Sequence, residues 1–243
     1  MLPRFLCPDL DAERGVATLE GGEAHHLLRV LRLAAGDEIA IFDGRGREFT
    51  ARIDRVSGQT VALTLREPVT TPARAVQIAL AQAVLKGQGM DDVVRDAVMM
   101  GVSRIVPLVT AHTVAHKAAS GHGAERWRRV ALASAKQSRT ARLPDVTEPM
   151  PFGNWVGTAF SRPGLLLVEP SVPAVQPLRV RELASAPQPQ SATLIIGPEG
   201  GWSPEEVRSA LEAGCTPVTL GPLTLRAESA ALAALAAVSV VWE

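Results

Sequence analysis

Two glycine-bearing loops, each entered from a short apolar run, limit what this chain can fold into more strongly than any other feature. The first lies in TLIIGPEGGWSPEEV at 193–207 and the second in PVTLGPLTLRAESAA at 217–231. An apolar run that ends at Gly-Pro is typical of a buried strand that stops abruptly. Ser203 and Pro204 then supply an N-cap and a first helical residue. One such loop is equally well an ordinary strand-to-helix turn. Two of them favour a ligand site, because glycine lets the backbone approach a ligand.

Together the two loops resemble the cofactor loops of the SPOUT, or trefoil-knot, RNA methyltransferases. The combination of IGPEGG, LGP and LRAESA is similar in more detail to the family that methylates N3 of a uridine in bacterial 16S ribosomal RNA. The resemblance covers nearly the whole chain and implies S-adenosylmethionine as the cofactor. The fold that it implies is α/β, with a SPOUT-type parallel sheet and a C-terminal trefoil knot, preceded by a small PUA-like β-barrel domain.

The resemblance also implies individual site residues. The cofactor is expected to be surrounded by Leu167, Ile196, Gly197, Glu199, Gly200, Gly201, Leu220, Gly221, Leu225, Arg226, Ser229 and Ala230. Loss of the N3 proton from uracil leaves an anion, which Arg226 is expected to stabilise at O2 or O4. Glu199 or Glu228 is expected to accept that proton, directly or through water. The alternative for Arg226 and Glu228 is a local ion pair that holds the loop.

A segment with two prolines and two threonines, at 67–74, is the natural domain boundary. Before it, short runs of alternating polarity predict a β-rich domain at 1–70, with the turn signal Asp43-Gly44 between two strands. After it, strand and helix patterns alternate over 74–243, which we expect to be the SPOUT methyltransferase domain with a parallel sheet.

Two helices have patterns that bear on function. In the first, over 23–32, Leu27, Val30 and Leu31 are expected to share a buried face, while Arg29 and Arg32 project together. This stretch resembles the PUA-like RNA-binding domain of the family, although paired arginines are equally typical of a solvated face. The last helix, from 228 to about 241, is apolar all round, so we expect it to be buried in the core or against another subunit.

Charge is distributed unevenly although the net charge is zero. Cationic residues cluster between 112 and 142, where Glu125 is their sole acidic neighbour. Arginine can form paired hydrogen bonds with phosphate, so this run is expected to lie along RNA. The residues expected to contact RNA are Arg4, His26, Arg29, Arg32, Lys86, Arg128, Arg139 and Arg142.

The chain departs from the family pattern at a few positions. Leu223 and His112 stand where arginine is expected, and Arg139-Thr140 stands where Gly-Arg is expected. Ser229 replaces a threonine, and Met99 occupies a usual glutamate position. These departures concern the RNA contacts more than the cofactor site.

Other classes of site are disfavoured by the sequence. Cys7 and Cys215 offer neither a disulfide framework nor a cysteine zinc site. The histidines at 112, 116 and 122 are accompanied by no carboxylate or cysteine, so no metal site is predicted. No apolar run approaches the ~18 residues of a membrane span, and no Gly-x-Gly-x-x-Gly or Walker-type motif is present.

Three functions remain open at this point. The leading interpretation is a cytoplasmic, homodimeric uridine N3 methyltransferase whose partner is 16S ribosomal RNA in the assembled small subunit. The first alternative is a ribose 2′-O-methyltransferase, because that branch of the superfamily uses similar glycine loops. The second is a non-catalytic ribosome-assembly factor that retains the fold, which failure to bind S-adenosylmethionine would support.

Overall fold

The computed structural model describes residues 2–71, 74–114, 123–170 and 175–242. These residues form two compact units, one of 1–73 with 135–143 and the other of 74–134 with 144–243. The segment 135–143 therefore packs with the first unit, although in the sequence it lies beyond the 67–74 boundary and is flanked on both sides by residues of the second unit.

The first unit is a curled sheet with strand order β1-β3-β4-β5-β2. Strands β1 and β3 are parallel, and the remaining pairs are antiparallel. The Asp43 carboxylate accepts the backbone N–H groups of Arg45 and Arg47 and closes the predicted turn between β3 and β4. The strands are β1 (Arg4–Leu6), β2 (Val16–Leu19), β3 (Glu38–Phe42), β4 (Glu48–Ser57) and β5 (Thr60–Pro68).

The helix of the first unit differs from the prediction. Helix α1 covers Gly21–His25 and continues as a π-helical turn over His26–Val30, in which Leu31 N–H donates to the His26 carbonyl at 3.1 Å. Leu27 is fully buried, but Val30 and Leu31 are 59% and 40% exposed. The predicted shared face is therefore wrong, because Val30 lies inside the π turn and Leu31 ends it, so the 3.6-residue spacing that the prediction assumed does not hold there.

The second unit is built on a parallel sheet with strand order β11-β13-β10-β12-β6-β7-β8, to which β9 is joined through β7. The order β6, α2, β7 confirms the predicted alternation of strand and helix in a parallel sheet, since β6 and β7 are parallel neighbours. The strands are β6 (Gln77–Ala83), β7 (Arg104–Val109), β8 (Asp145–Val146), β9 (Met150–Pro151), β10 (Gly164–Leu167), β11 (Leu178–Arg179), β12 (Ser191–Ile196) and β13 (Thr216–Thr219).

The helices after α1 are α2 (Gly89–Met99), α3 (Gly123–Ser138), α4 (Phe152–Val156), α5 (Pro204–Glu212) and α6 (Ala227–Trp242), with a 3-10 helix over Val180–Ser185. Helix α6 buries one face, which includes Leu235 and Val238, and packs on α2 and on the 3-10 helix. Leu232 and Val240 are 39% and 85% exposed, so this unit by itself covers only part of the apolar helix. No helix in the described ranges is long and apolar enough to cross a membrane.

Candidate functional site

A cavity of about 840 Å³ opens in the second unit where strands β10, β12 and β13 end. Its walls are the two glycine loops, the residues after β10, the start of α2 and the first turn of α6. The carboxyl ends of parallel strands meet at one edge of the sheet, which is where open α/β folds bind ligands. The volume lies within the range of small-molecule sites.

Most of the residues predicted to surround a cofactor come together at this cavity. Gly221 and Ser229 belong to the same segments, but they are not part of the lining. Those that line it are Leu167, Ile196, Gly197, Glu199, Gly200, Gly201, Leu220, Leu225, Arg226 and Ala230. Glu228, predicted to act on the substrate proton, and Lys86, predicted to contact RNA, also line the cavity.

The first glycine loop turns tightly and is tied to the start of α2. Gly201 has φ +70° and its N–H donates to the Pro198 carbonyl at 3.0 Å. The Glu199 carboxylate accepts the backbone N–H of Lys86 at 3.1 Å. One oxygen of this predicted proton acceptor is therefore engaged in holding two cavity walls together.

The segment after β7 supports the same loop from another side. His112 Nδ1 lies 3.1 Å from the Gly201 carbonyl oxygen, and a Cβ added at Gly200 would come within 2.9 Å of the His112 Cβ. A larger residue at position 200 would therefore clash with the His112 side chain, which explains the glycine there. Ala111 N–H donates at 2.8 Å to Glu206, whose carboxylate and backbone also form the capping box with Ser203 at the start of α5.

The second glycine loop places its apolar residues at the rim. Gly221 has φ +156°, which favours glycine, and its carbonyl accepts the Thr219 hydroxyl at 3.2 Å. Leu223 and Leu225 line the cavity although they are 77% and 42% exposed. Leu223, where the family resemblance leads us to expect arginine, is therefore an apolar side chain at the mouth of the cavity.

The acidic and basic groups of the cavity are largely unpaired. Among the described residues, the side chains of Arg226, Glu228 and Glu169 have no hydrogen bond or ion pair. The alternative in which Arg226 and Glu228 form a local ion pair therefore does not describe this structure. Asp92, which also lines the cavity, is bound to Arg95 at 2.7 Å.

Glu169 and Trp202 are among the lining residues that the sequence analysis missed. Glu169 follows the strand at 164–167, and its position just after an apolar run was a usable signal. Trp202 donates its indole N–H to the Leu167 carbonyl at 2.9 Å, a contact between distant segments that no local pattern indicates. Within the described residues, one buried side-chain acceptor has no partner, Oε1 of Gln82 at the end of β6.

Comparison with known proteins identifies the family. A family model for an RNA methyltransferase domain matches residues 72–239, and one for an RNA methyltransferase PUA domain matches 19–65. Ribosomal RNA small subunit methyltransferase E of Synechocystis is 32% identical over 228 residues, which cover 93% of this chain and 73% of that protein. The Mycobacterium bovis protein of the same name is 31% identical over 241 residues, covering 96% and 88%. The chain belongs to this RNA methyltransferase family.

Solved structures agree over the whole length of the chain. A methyltransferase of Legionella pneumophila in complex with S-adenosylmethionine has a TM-score of 0.84 at 30% identity, covering 99% of this chain and 98% of that one. Ribosomal RNA small subunit methyltransferase E of Neisseria gonorrhoeae, bound to S-adenosylmethionine, has a TM-score of 0.84 at 27% identity, covering 100% and 98%. The predicted α/β SPOUT fold preceded by a PUA-like domain is confirmed.

Half of the lysines and arginines that the structure describes in the cationic run are paired internally. Arg128 binds Glu148 at 2.9 Å and also donates to the Val146 carbonyl. Lys136 binds Glu23 at 2.6 Å, and Arg126 forms an ion pair with Asp91. In the described part of the run, the side chains of Arg129, Arg139 and Arg142 form no ion pair or hydrogen bond and are exposed. Lys117 lies outside the described residues.

Arg4 is also committed to internal contacts. Its side chain is 7% exposed, is ion-paired with Glu48 at 2.7 Å and donates to the carbonyls of Ala135, Lys136 and Thr140. Arg4 thus ties segment 135–143 to the sheet of the first unit, and we leave it out of the proposed RNA surface. The other cations predicted in this unit, His26, Arg29 and Arg32, are exposed.

Arg139 explains one departure from the family pattern. It follows the last residue of α3 and has φ +60°, a left-handed conformation that glycine adopts at lower cost. The left-handed backbone conformation therefore explains why glycine is expected here from the family pattern. Here an exposed arginine takes the same conformation.

Neither metal chemistry nor a reactive thiol finds support in the described residues. They contain no group of three or more histidine, cysteine, aspartate and glutamate side chains able to hold a metal ion. His116 and His122 lie outside them. Burial raises the pKa of the Cys7 thiol and of the Cys215 thiol, which keeps both protonated and unreactive.

Proposed function

We propose that this protein transfers a methyl group from S-adenosylmethionine to N3 of one uridine in 16S ribosomal RNA. The observation that carries the proposal is the cavity, in which both glycine loops meet an arginine and a glutamate that have no partner in the described structure. Membership of the small-subunit methyltransferase family supports the ribosomal substrate. Neither a ribose 2′-O-methyltransferase nor an assembly factor gains support from a particular contact.

The cavity fits the cofactor that its solved relatives contain. Gly201 leaves its backbone open to a ligand, because an added Cβ there would meet no atom within 4 Å, whereas Gly197 and Gly200 make room for Trp202 and His112. Glu169 and Glu228 are unpaired carboxylates, which suit a ligand with an ammonium and a sulfonium charge. When bound, the cofactor would supply an electrophilic methyl group whose transfer is favoured in a dry, well-aligned site.

The reacting uracil must lose its N3 proton, and the cavity offers groups for that step. Arg226 stands at the wall with its guanidinium free to bind O2 or O4 and to stabilise the anion. Glu228 is the better proton acceptor of the two predicted glutamates, because Glu199 already accepts the Lys86 N–H. Glu199 then serves to hold the first loop against the start of α2.

RNA docking is assigned in this proposal to the first unit. His26, Arg29 and Arg32 are exposed at the π-helical turn, and Arg139 and Arg142 are exposed in segment 135–143, which packs with the same unit. The Lys136–Glu23 ion pair joins these two elements. These cations therefore all belong to one unit, and their exposed side chains are available to bind RNA phosphate.

The remaining expectations belong to the same proposal. The substrate would be the uridine within the assembled small subunit, and the enzyme would act in the cytoplasm as a homodimer. The exposed Leu232 and Val240 on α6 support self-association, since exposed apolar side chains on an otherwise buried helix favour a partner surface.

The decisive experiment maps the modified atom. Small subunits from a strain that lacks this enzyme are incubated with the protein and labelled S-adenosylmethionine, and stops are mapped by primer extension. An N3 methyl group blocks the Watson–Crick edge of uracil, so reverse transcriptase is expected to stop one nucleotide before a single uridine. The stop should be absent with Arg226→Ala.

Other results would point elsewhere. Incorporation of label without a stop would reject the N3 assignment in favour of the ribose 2′-hydroxyl, which lies off the pairing edge. Tight cofactor binding without incorporation into subunits or naked RNA would indicate an assembly factor. Methylation of naked RNA at the full rate would reject the assembled subunit as the required substrate.

A further inference from the structure

Trp202 joins two walls of the cavity through contacts that the proposed reaction does not use. Its indole N–H donates a 2.9 Å hydrogen bond to the carbonyl oxygen of Leu167, at the end of β10. Its ring lies so close to the first glycine loop that a Cβ at Gly197 would be 3.1 Å from its Cε2 and Nε1 atoms. All three residues line the cavity. Trp202 therefore sets the separation between the end of β10 and the first loop.

The indole is itself held in place by an aromatic cluster. Its ring centroid is 5.0 Å from that of Phe152, with the planes tilted by 49°. Phe152 is buried and contacts Trp155, which stacks on Phe160 at 4.8 Å. Tilted and offset aromatic contacts of this kind restrict ring rotation. The N–H is thus directed at Leu167 before any ligand arrives.

We propose that Trp202 is a positioning residue for cofactor binding. A site built mainly from backbone groups cannot adjust by side-chain rotation, so its affinity depends on how well the loops are held beforehand. The indole N–H keeps the Leu167 carbonyl in place, and the ring surface keeps Gly197 in place. This inference rests on the proposed cofactor site, and the experiment separates the two.

The first test compares Trp202→Phe with Trp155→Phe. Both lose an indole N–H and the same atoms from one aromatic cluster, but Trp155 does not line the cavity. Loss of one neutral hydrogen bond is expected to raise the Kd for S-adenosylmethionine about five- to tenfold in Trp202→Phe. Trp155→Phe should stay within about twofold of wild type at a similar thermal midpoint. Calorimetry measures the Kd, and cofactor-dependent indole fluorescence should persist in Trp155→Phe and disappear in Trp202→Phe.

A second test needs no phenylalanine variant. Gly197→Ala should push the indole away and weaken S-adenosylmethionine binding. In the double variant Gly197→Ala, Trp202→Leu, the smaller leucine side chain leaves room for the alanine methyl group. The double variant should then bind no more weakly than Trp202→Leu alone. Strictly additive losses, or equal Kd values for the two phenylalanine variants, would overturn the role of Trp202. Failure of the wild-type protein to bind S-adenosylmethionine would instead reject the proposed function.

Discussion

The cavity and helix α3 were both predicted from the sequence to bind ligands through charged side chains, but those side chains differ in whether they are already paired within the protein. At the cavity, Arg226 and Glu228 have no partner in the described structure and remain available to a substrate. Along α3, Arg126 and Arg128 are bound by acidic residues distant in sequence, Asp91 and Glu148. A cluster of cations in the sequence is therefore not equivalent to a cationic surface, because tertiary contacts decide which charges are free.

The cavity and the exposed cations of the first unit also differ in how they would bind a ligand, because the cavity relies on backbone groups and the cations on charged side chains. The first glycine loop is shaped by the contact of Gly200 with His112, which lies outside the loop, and by the contact of Gly197 with the loop's own Trp202. The exposed cations of the first unit can bind phosphate without such exact placement, since Coulomb attraction is only weakly directional. We expect the cavity to be sensitive to single atoms and the RNA surface to be sensitive to total charge.

The largest expected effect is at Arg226. Arg226→Ala should lower the rate of methyl transfer about 10²–10³-fold, as for removal of one group that stabilises a developing anion. Arg208→Ala is the matched control, because Arg208 is an exposed cation on α5 of the same unit. Single-turnover transfer of labelled methyl groups measures both. A loss below about threefold would return Arg226 to a structural role.

Gly200→Val should have the next largest effect. The added Cβ would meet the His112 Cβ at 2.9 Å, and overpacking of this kind costs about 1–3 kcal/mol, or about 5–150-fold in cofactor affinity. At Gly153, on α4, no atom lies within 4 Å of an added Cβ, so Gly153→Val serves as the control. Calorimetric titration with S-adenosylmethionine checks the difference. Unchanged affinity in Gly200→Val would remove the first loop from the site.

Salt dependence sharpens the contrast between free and paired cations. Each phosphate neutralised contributes about 0.7–0.9 to the slope of log affinity against log salt, so Arg139→Ala and Arg142→Ala should each lower that slope by about this amount. Arg128→Ala should lower it less, because Arg128 is bound to Glu148. Binding of ribosomal RNA at several salt concentrations gives the slopes. Equal slopes for all three variants and wild type would mean that this run does not contact phosphate.

The smallest expected effect concerns the turn of the first unit. Burial raises the pKa of Asp43, but hydrogen bonds from the Arg47 side chain and the Arg45 and Arg47 backbone outweigh it, so the pKa is lowered. Its contribution to stability is therefore full above the ordinary carboxyl pKa and is lost as the pH falls through the lowered value. Asp43→Asn should cost about 0.5–1 kcal/mol near neutral pH, since Arg47 is half-exposed. Denaturation at pH 7 and in acid measures it, and a difference that stays constant in acid contradicts this account.

Local signals in the sequence were sufficient for the elements that form the cavity. The apolar run before Gly197 and the helix-start residues Ser203 and Pro204 act over a few residues, so they predicted β12 and the start of α5 correctly. The π-helical turn at 26–30 could not be predicted in this way, because a helix pattern does not specify which carbonyl each N–H will choose. The short strand β11 and the 3-10 helix at 180–185 were not predicted either, since they lie in a segment with five prolines and no clear periodic pattern.

The sequence by itself determined the family, the cofactor loops and the parallel direction of the strands in the second unit. Each of these depends on contiguous patterns of glycine, apolar and capping residues. Tertiary structure decided which cations remain free, where segment 135–143 packs, and that Trp202 reaches Leu167. These outcomes depend on pairs of residues tens of positions apart. A linear pattern carries no information about such pairs until the chain has folded, because the free energy of each contact depends on the geometry that all the others create.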